Sequence, residues 1–166
     1  MSDTTCDVAI IMGSKSDLPT MKPAADVLKE LGLRVAVRVL SAHRTPEQTA
    51  AFVRVASRTG TKGFICGAGG AAHLAGTVAA HTTRPVIGIP ISSGSLQGMD
   101  ALLSTAMMPP GIPVATVAIG GAENAGLLAA QIVAISDPAL SKRVEAERET
   151  RLRKVLEADA EVSAKF

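Results

Sequence analysis

Two histidines and an arginine stand in short loops whose residue types suit proton transfer beside a bound anion. His43 and Arg44 lie within residues 41–46 (SAHRTP), and His73 follows the glycine-rich run 67–72 (GAGGAA). Histidine changes charge near neutral pH, which suits a general acid or base. A guanidinium binds phosphate or carboxylate through paired N–H groups. His43 is our candidate proton-transfer residue, although a loop histidine is as often a capping or solvent-exposed residue.

Small polar residues in these loops indicate a site for a phosphorylated ligand. Each loop precedes a predicted helix, and the N–H groups at a helix start bind anions when glycine or serine lets the anion approach. Asp17 can accept from ribose hydroxyls or cap a helix, and the sequence leaves both roles open. One serine–glycine turn more often caps a helix than binds substrate, so the prediction depends on several such loops meeting. The contributing residues are Ser14, Ser16, Ser41, Gly69, Gly70 and Ala71.

Other site chemistries fit the sequence poorly. The loops match neither the P-loop nor the G-x-G-x-x-G pattern, so ATP and NAD are not indicated. His81 lies eight residues after His73, and we interpret it as structural. Three scattered histidines without clustered carboxylates make a poor metal site, and we expect none. Ser14 has no neighbouring base and no G-x-S-x-G motif, which disfavours nucleophilic catalysis.

Alternating strands and helices position these loops. We predict strands at residues 7–12, 34–40, 63–67, 85–91 and 114–119, and helices at 18–31, 46–59, 71–81, 99–107 and 122–136. Glycines at 32 and 60 end the first two helices. This alternation predicts a parallel sheet with helices on both faces. Ligands of such sheets bind beyond the carboxyl ends of the strands, where the loops above should meet.

The last 29 residues differ from the rest, since 13 of them are charged. A sparse apolar stripe persists there, which predicts a long amphipathic helix outside the sheet. That stripe packs either on its own domain or on another subunit, and we favour the second. We expect one domain over 1–166, with a core at 7–137 and a helical tail at 138–166. The stripe comprises Leu140, Val144, Leu152, Val155, Leu156 and Val162.

Composition narrows the classes of partner. The net charge is +2, and three Phe with no Trp or Tyr offer no stacking platform, so no nucleic acid is expected. Cys6 and Cys66 show no metal or disulfide spacing and are interpreted as structural thiols. No run of 18 apolar residues predicts a membrane span. The first 13 residues lack the features of a signal peptide, so we expect a cytoplasmic protein.

Several of these runs together resemble one enzyme family. VAIIMGSKSD, SAHRTPE, GAGGAAHL, MPPGIPVATVAIG and NAGLLAAQI are similar to motifs of the class I PurE family, the N5-carboxyaminoimidazole ribonucleotide mutases. The resemblance spans about residues 7–140. It implies a three-layer α/β/α, flavodoxin-like sandwich that assembles into a homo-octamer. It also implies a small ribonucleotide substrate, no metal and no cofactor.

The resemblance also implies roles for the loop residues. His43 matches the catalytic position, and His73 would hold the migrating carboxylate. Two departures concern loop detail: Ala75 replaces the proline of the usual HLPG, and the stretch 120–124 is shorter than in many relatives. The matching substrate-binding positions are Ser14, Asp17 and Arg44, with Ser16, Ser41, Gly69, Gly70, Ala71, His73 and Leu74 completing the pocket.

The implied reaction belongs to de novo purine biosynthesis. The substrate carbamate releases CO2, the imidazole C4 recaptures it, and His43 moves the proton. A histidine in GGAAHL is the class I form, because class II carboxylases, which use free CO2, carry a different stretch there. The alternatives are a class II carboxylase or a non-catalytic flavodoxin-like module for a phosphate ligand. The lack of Trp and Tyr disfavours flavin stacking.

Overall fold

The structure, a computed structural model, describes residues 5–166. Residues 1–4, part of the stretch predicted not to be a signal peptide, lie outside the described residues. The described strands are β1 (Val8–Met12), β2 (Val35–Val39), β3 (Gly63–Gly69), β4 (Val86–Ile91) and β5 (Ala115–Thr116). The described helices are α1 (Leu18–Glu30), α2 (Pro46–Arg58), α3 (Leu74–Ala79), α4 (Met99–Ala106), α5 (Ala122–Ala134) and α6 (Pro138–Ser163).

The strands form one parallel sheet in the order β2-β1-β3-β4-β5, covered by helices on both faces. All five residues of β1 are buried, because alternate side chains enter the cores on opposite faces. Ile10 packs in the core that includes α1 and α5, whereas Ile11 packs in the core that includes α2 and α3. The predicted flavodoxin-like α/β/α architecture is confirmed.

Glycines end the first two helices, as the sequence predicts. Gly32 follows α1 with φ 78° and Gly60 follows α2 with φ 104°, both in the left-handed region. The N–H groups of Gly32 and Leu33 donate to the carbonyls of Lys29 and Leu28 at 2.9 Å. These bonds satisfy carbonyls that the helix end leaves open, and they turn the chain towards β2.

The fifth strand is much shorter than the predicted 114–119, because its neighbour contains a proline. Val117 and Gly120 still donate their N–H groups to the carbonyls of Gly88 and Pro90, at 3.1 and 2.9 Å. The backbone polar groups of Gly88 and Pro90 therefore point towards β5. Pro90 has no N–H to return, so the ladder ends after Thr116.

The glycine-rich segment is divided differently from the prediction. β3 continues to Gly69, since Gly67 and Gly69 pair with Ile89 and Ile91 of β4. α3 begins only at Leu74, not at residue 71, and ends at Ala79. A positive φ of 61° at Gly70 breaks the backbone between the two elements. Residues 70–73 are therefore a loop at the sheet edge, in which Ala71 and His73 are exposed and Ala72 is buried.

The C-terminal helix lies outside the sheet, and its two halves have different surroundings. Leu140 is completely buried and Val144 packs against the same core as α1 and α5. Arg143 donates from Nε to the carbonyl of Leu31 at 2.8 Å. Beyond these turns the stripe is exposed, with Leu152 at 57% and Val155 at 66%. The own-domain interpretation therefore holds for the first half of the stripe, and the second half is uncovered in this chain.

A charged pair ties the start of the sheet to the chain entering β2. The carboxylate of Asp7 accepts from Arg34 at its backbone N, 2.9 Å away, and at Nη2, 3.0 Å away. The bond from the Arg34 side chain, the largest cause, holds the pKa of Asp7 below its ordinary value of 3.8. Only 15% of the Asp7 side chain is exposed, whereas 62% of the Arg34 side chain is.

Asp7→Asn should lower the free energy of unfolding by about 1 kcal/mol at pH 7, since one partner is solvent-screened. A depressed folded-state pKa stabilises the fold above the unfolded pKa, and the gain disappears as pH falls through the folded pKa. The difference from wild type should therefore shrink below about pH 4. Urea unfolding at pH 7 and pH 3 measures it. Asp26→Asn, at the exposed pair with Lys22, is the control and should change stability by less than about 0.5 kcal/mol.

Both cysteines are free and buried. Cys6 lies 3.3 Å from the hydroxyl of Thr61. Burial raises the pKa of the Cys66 thiol, which keeps it protonated and unreactive. The interpretation of the two residues as structural thiols is consistent with these positions. Within residues 5–166, no helix is both long and apolar enough to cross a membrane.

Candidate active site

The strand order brings the predicted site loops to one edge of the sheet. β1 lies between β2 and β3, so the chain leaves β1 towards one side and later returns on the other. The carboxyl ends of the three strands are adjacent at this switch point, where open α/β sheets bind their ligands. The loops 13–17, 40–45 and 70–73 follow these strands in that order.

The loop after β1 is a compact hydroxyl-bearing turn. Ser14 caps the short 3₁₀ turn Lys15–Asp17, and its backbone N donates to Asp17 Oδ2 at 3.0 Å. The hydroxyl of Ser16 lies 2.8 Å from that of Ser14. Of the two roles left open for Asp17, the capping role is therefore present. It shapes the loop and leaves the Ser16 side chain exposed at its rim.

The loop after β2 is attached to the loop after β1 by Arg44. Its guanidinium donates from Nη2 to the carbonyl of Gly13 at 2.7 Å, and its Nε lies 3.4 Å from Ser41 Oγ. Ser41 Oγ also accepts from the backbone N of Arg44 at 3.2 Å. A guanidinium has five N–H donors, so several still face solvent on this exposed residue. Ser14, Ser41 and Arg44 are thus brought together as predicted.

Before His73, the loop after β3 offers backbone rather than side chains. A Cβ on Gly69 would lie 2.6 Å from Ser93 Oγ and 3.1 Å from the Ile91 carbonyl, so only glycine fits between β3 and the loop after β4. Gly70 and Ala71 continue this small-residue surface. Leu74 differs, because its side chain is buried in the core beside α2, and only its backbone could meet a ligand.

The two candidate histidines contact each other. His43 Nε2 lies 2.8 Å from His73 Nδ1, and the rings meet edge to face with centroids 5.0 Å apart. One of the two nitrogens must carry the hydrogen and the other must accept it, so the pair shares a single proton. Both residues are exposed at the sheet edge. Such a pair can take up a proton at one ring and hand it on, beside loops suited to an anion.

His81, predicted to be structural, is not brought to this site. Its Nδ1 lies 3.5 Å from Arg54 Nη2, beyond the end of α3. It lines a separate recess of about 1140 Å³ together with Arg58 and Arg84. This recess is open and contains none of the predicted site residues. We therefore locate the candidate site at the switch-point loops, whose residues suit anion binding and proton transfer. Among residues 5–166 no group of three or more His, Cys, Asp or Glu side chains is arranged to hold a metal ion.

Ser104 is a contact of the site that the sequence did not reveal. Its hydroxyl accepts from the backbone N of Ala72 at 3.0 Å, although 32 residues separate them. One serine in the apolar helix α4 carries no pattern that would single it out. Ser93, whose hydroxyl limits residue 69 to glycine, lies in the loop after β4 and was not among the candidate residues.

The chain is similar over most of its length to proteins of one family. The model of the family described as AIR carboxylase matches residues 7–154. An N5-carboxyaminoimidazole ribonucleotide mutase of Synechocystis is 52% identical over 155 residues, covering 93% of this chain and 88% of that protein. A protein of the same name from Bacillus subtilis is 52% identical over 153 residues, covering 91% and 94%. A crystal structure of Treponema denticola PurE superposes with a TM-score of 0.85 at 33% identity, covering 93% of this chain and 96% of that one.

Proposed function

The chain belongs to the AIR carboxylase family, and from that membership we propose how its switch-point loops perform the reaction. The chain is a mutase, an isomerase that interconverts N5-carboxyaminoimidazole ribonucleotide and its 4-carboxy isomer in purine biosynthesis. The observation that carries the proposed site is the pairing of His43 with His73 at 2.8 Å, beside the anion-binding loops.

The substrate phosphate and ribose bind across the loops after β1 and β2. The hydroxyls of Ser14, Ser16 and Ser41 and the free N–H groups of Arg44 provide the donors for the phosphate. Asp17 holds the first loop in shape through its bond to the Ser14 backbone. The exposed backbone of 69–71, with the N–H of Leu74 at the start of α3, lines the side where the imidazole lies.

His43 moves the proton that the reaction requires. The carbamate C–N bond breaks, CO2 is released, and the exocyclic amino nitrogen that carried it takes a proton. C4 then attacks the same CO2, a C–C bond forms, and the C4 proton leaves to restore aromaticity. One proton is consumed and one is released, so a single acid/base residue closes the cycle without a cofactor. His73 fixes the orientation of the His43 ring and lies close enough to hold the carboxylate.

The decisive experiment compares two substrates. Purified protein should convert the N5-carboxylated ribonucleotide without ATP or added bicarbonate, because the CO2 stays in the pocket. It should not carboxylate the uncarboxylated ribonucleotide, even when CO2 is added to the assay. The reverse pattern would identify a class II carboxylase. Conversion of neither substrate, together with bound yellow flavin, would identify the non-catalytic module.

We further propose that the single domain 1–166 assembles as a homo-octamer in the cytoplasm. Two surfaces of one chain expose large apolar side chains, and more than one interface suits a higher oligomer. On α4, Leu103 is 55% exposed, and Met107, which follows the helix, is 78% exposed. The second surface is the outer stripe of α6, with Leu152 at 57% and Leu156 at 58%. Sedimentation equilibrium measures the assembly, and a monomer at micromolar concentration would contradict it.

A further inference from the structure

A hydroxyl on α4 secures the loop that carries His73. Ser104 Oγ accepts from the backbone N of Ala72 at 3.0 Å and lies 2.8 Å from the carbonyl of Asp100 in its own helix. A hydroxyl has one hydrogen and two lone pairs, so it can donate within the helix and accept from the loop at once. Gly70 O, at 3.4 Å, is a second acceptor from the same loop.

The contact lies next to the histidine pair in the chain. Ala72 is 1% exposed, so its N–H has no water to replace the serine oxygen. The following residue, His73, donates its backbone N to the carbonyl of Ala71 at 2.8 Å, and α3 begins one residue later. The position of Ala72 therefore sets the backbone position of His73. The backbone position in turn sets the distance between the His73 and His43 rings.

The neighbouring residue shows that the hydroxyl is not needed to pack the helix. Thr105 is 2% exposed and faces the sheet, where a Cβ on Gly88 would collide with its Cγ2. Packing of α4 against β4 thus depends on Thr105, while Ser104 is half-buried and directed at the loop. Thr105 thus packs the helix against the sheet, and Ser104 holds the loop.

We propose that Ser104 is a positioning residue for the mutase reaction, one that holds the Ala72 amide so that His73 shares its proton with His43. This inference rests on the proposed function of the histidine pair. Without the oxygen, the buried amide loses its acceptor and the loop moves to find another. A shift of about 1 Å in the His73 ring breaks the 2.8 Å contact. Misplacement of that size can cost up to about 100-fold in rate.

Kinetics of three variants test the proposal. Ser104→Ala should lower kcat about 10- to 100-fold with KM changed less than about threefold, because phosphate binding lies in other loops. Ser104→Thr keeps the oxygen and should restore most of kcat. Thr105→Ala is the structural comparison: it should lower the unfolding midpoint and leave kcat within about twofold. If Ser104→Ala does not fold, Ser104→Cys, with a weaker acceptor, takes its place.

Imidazole ¹⁵N NMR of the ligand-free protein provides a second readout that needs no turnover. Wild type should show one shared proton between His43 Nε2 and His73 Nδ1, Thr105→Ala should keep that signature, and Ser104→Ala should lose it. An unchanged signature with unchanged kcat in Ser104→Ala overturns the proposal. Equal kcat losses in Ser104→Ala and Thr105→Ala also overturn it. A wild-type protein that is inactive but keeps the signature would contradict the proposed function instead.

Discussion

Replacing His43 with asparagine should lower kcat by about 10²–10⁴-fold, while the fold and ribonucleotide binding remain. Asparagine can donate to or accept from His73, so the 2.8 Å contact has a substitute. It cannot take the C4 proton or return one to the nitrogen, since an amide does not ionise near neutral pH. The residual rate would come from holding CO2 beside C4. Steady-state kinetics with the carboxylated substrate, and calorimetric titration of the product, measure the two effects.

His81→Asn is the matched control for this substitution. His81 contacts Arg54 beyond α3 and lies outside the switch-point loops, so kcat should stay within about twofold of wild type. If His43→Asn also stayed within twofold, His43 would not be the proton-transfer residue. Loss of product binding in that variant would show a binding role instead. The control and the product titration together distinguish a loss of chemistry from a general effect of removing an imidazole.

Local signals allowed most of the fold to be predicted from the sequence. The run VAIIM is apolar at every position, which is the pattern of a strand buried on both faces, and β1 is buried throughout. Gly32 ends α1 because a residue without a Cβ adopts the left-handed backbone conformation with little steric strain. Such features depend on residues close together in the chain. The pattern of apolar residues and the positions of glycines are therefore enough to predict them.

Features that depend on distant partners were less predictable. β5 is short because Pro90 of the adjacent strand lacks an N–H, and only the register of β4 with β5 reveals that. The late start of α3 follows from the backbone break at Gly70 and from the hydroxyl of Ser104, which is 32 residues away. Neither cause lies within a window of neighbouring residues.

The site shows the same division. The loops of Ser14, Ser41 and His43 could be assigned to one edge, because parallel strands end at the same side of a sheet. The direct contact of His43 with His73 could not be derived from the residues, since it requires β1 to lie between β2 and β3. The burial of the Leu74 side chain was also missed, because helix starts at a sheet edge place some residues in the core.

Leu140→Ala should lower the free energy of unfolding by about 2–5 kcal/mol, the usual cost of removing a completely buried leucine. Leu140 lies in the first turns of α6, in the core it shares with α1 and α5. Its N–H is capped by Asp137 Oδ1 at 3.0 Å, so the backbone there is held independently of the side chain. Urea unfolding followed by circular dichroism measures the loss. A change below about 1 kcal/mol would mean that α6 does not pack on its own domain.

Leu152→Ala, on the same helix, tests whether the outer part of the stripe faces solvent or packs on another subunit. Leu152 is 57% exposed in one chain, so its removal should cost less than about 0.5 kcal/mol if solvent is its only neighbour. If a second copy covers it, the cost depends on protein concentration, because stability gained by assembly follows mass action. The Leu140→Ala loss includes a part that stays constant over a hundredfold dilution. A Leu152→Ala loss that is largest at high protein concentration and disappears on dilution, with a smaller sedimenting species where wild type is assembled, would place the outer stripe between subunits. No loss at any concentration would leave it facing solvent.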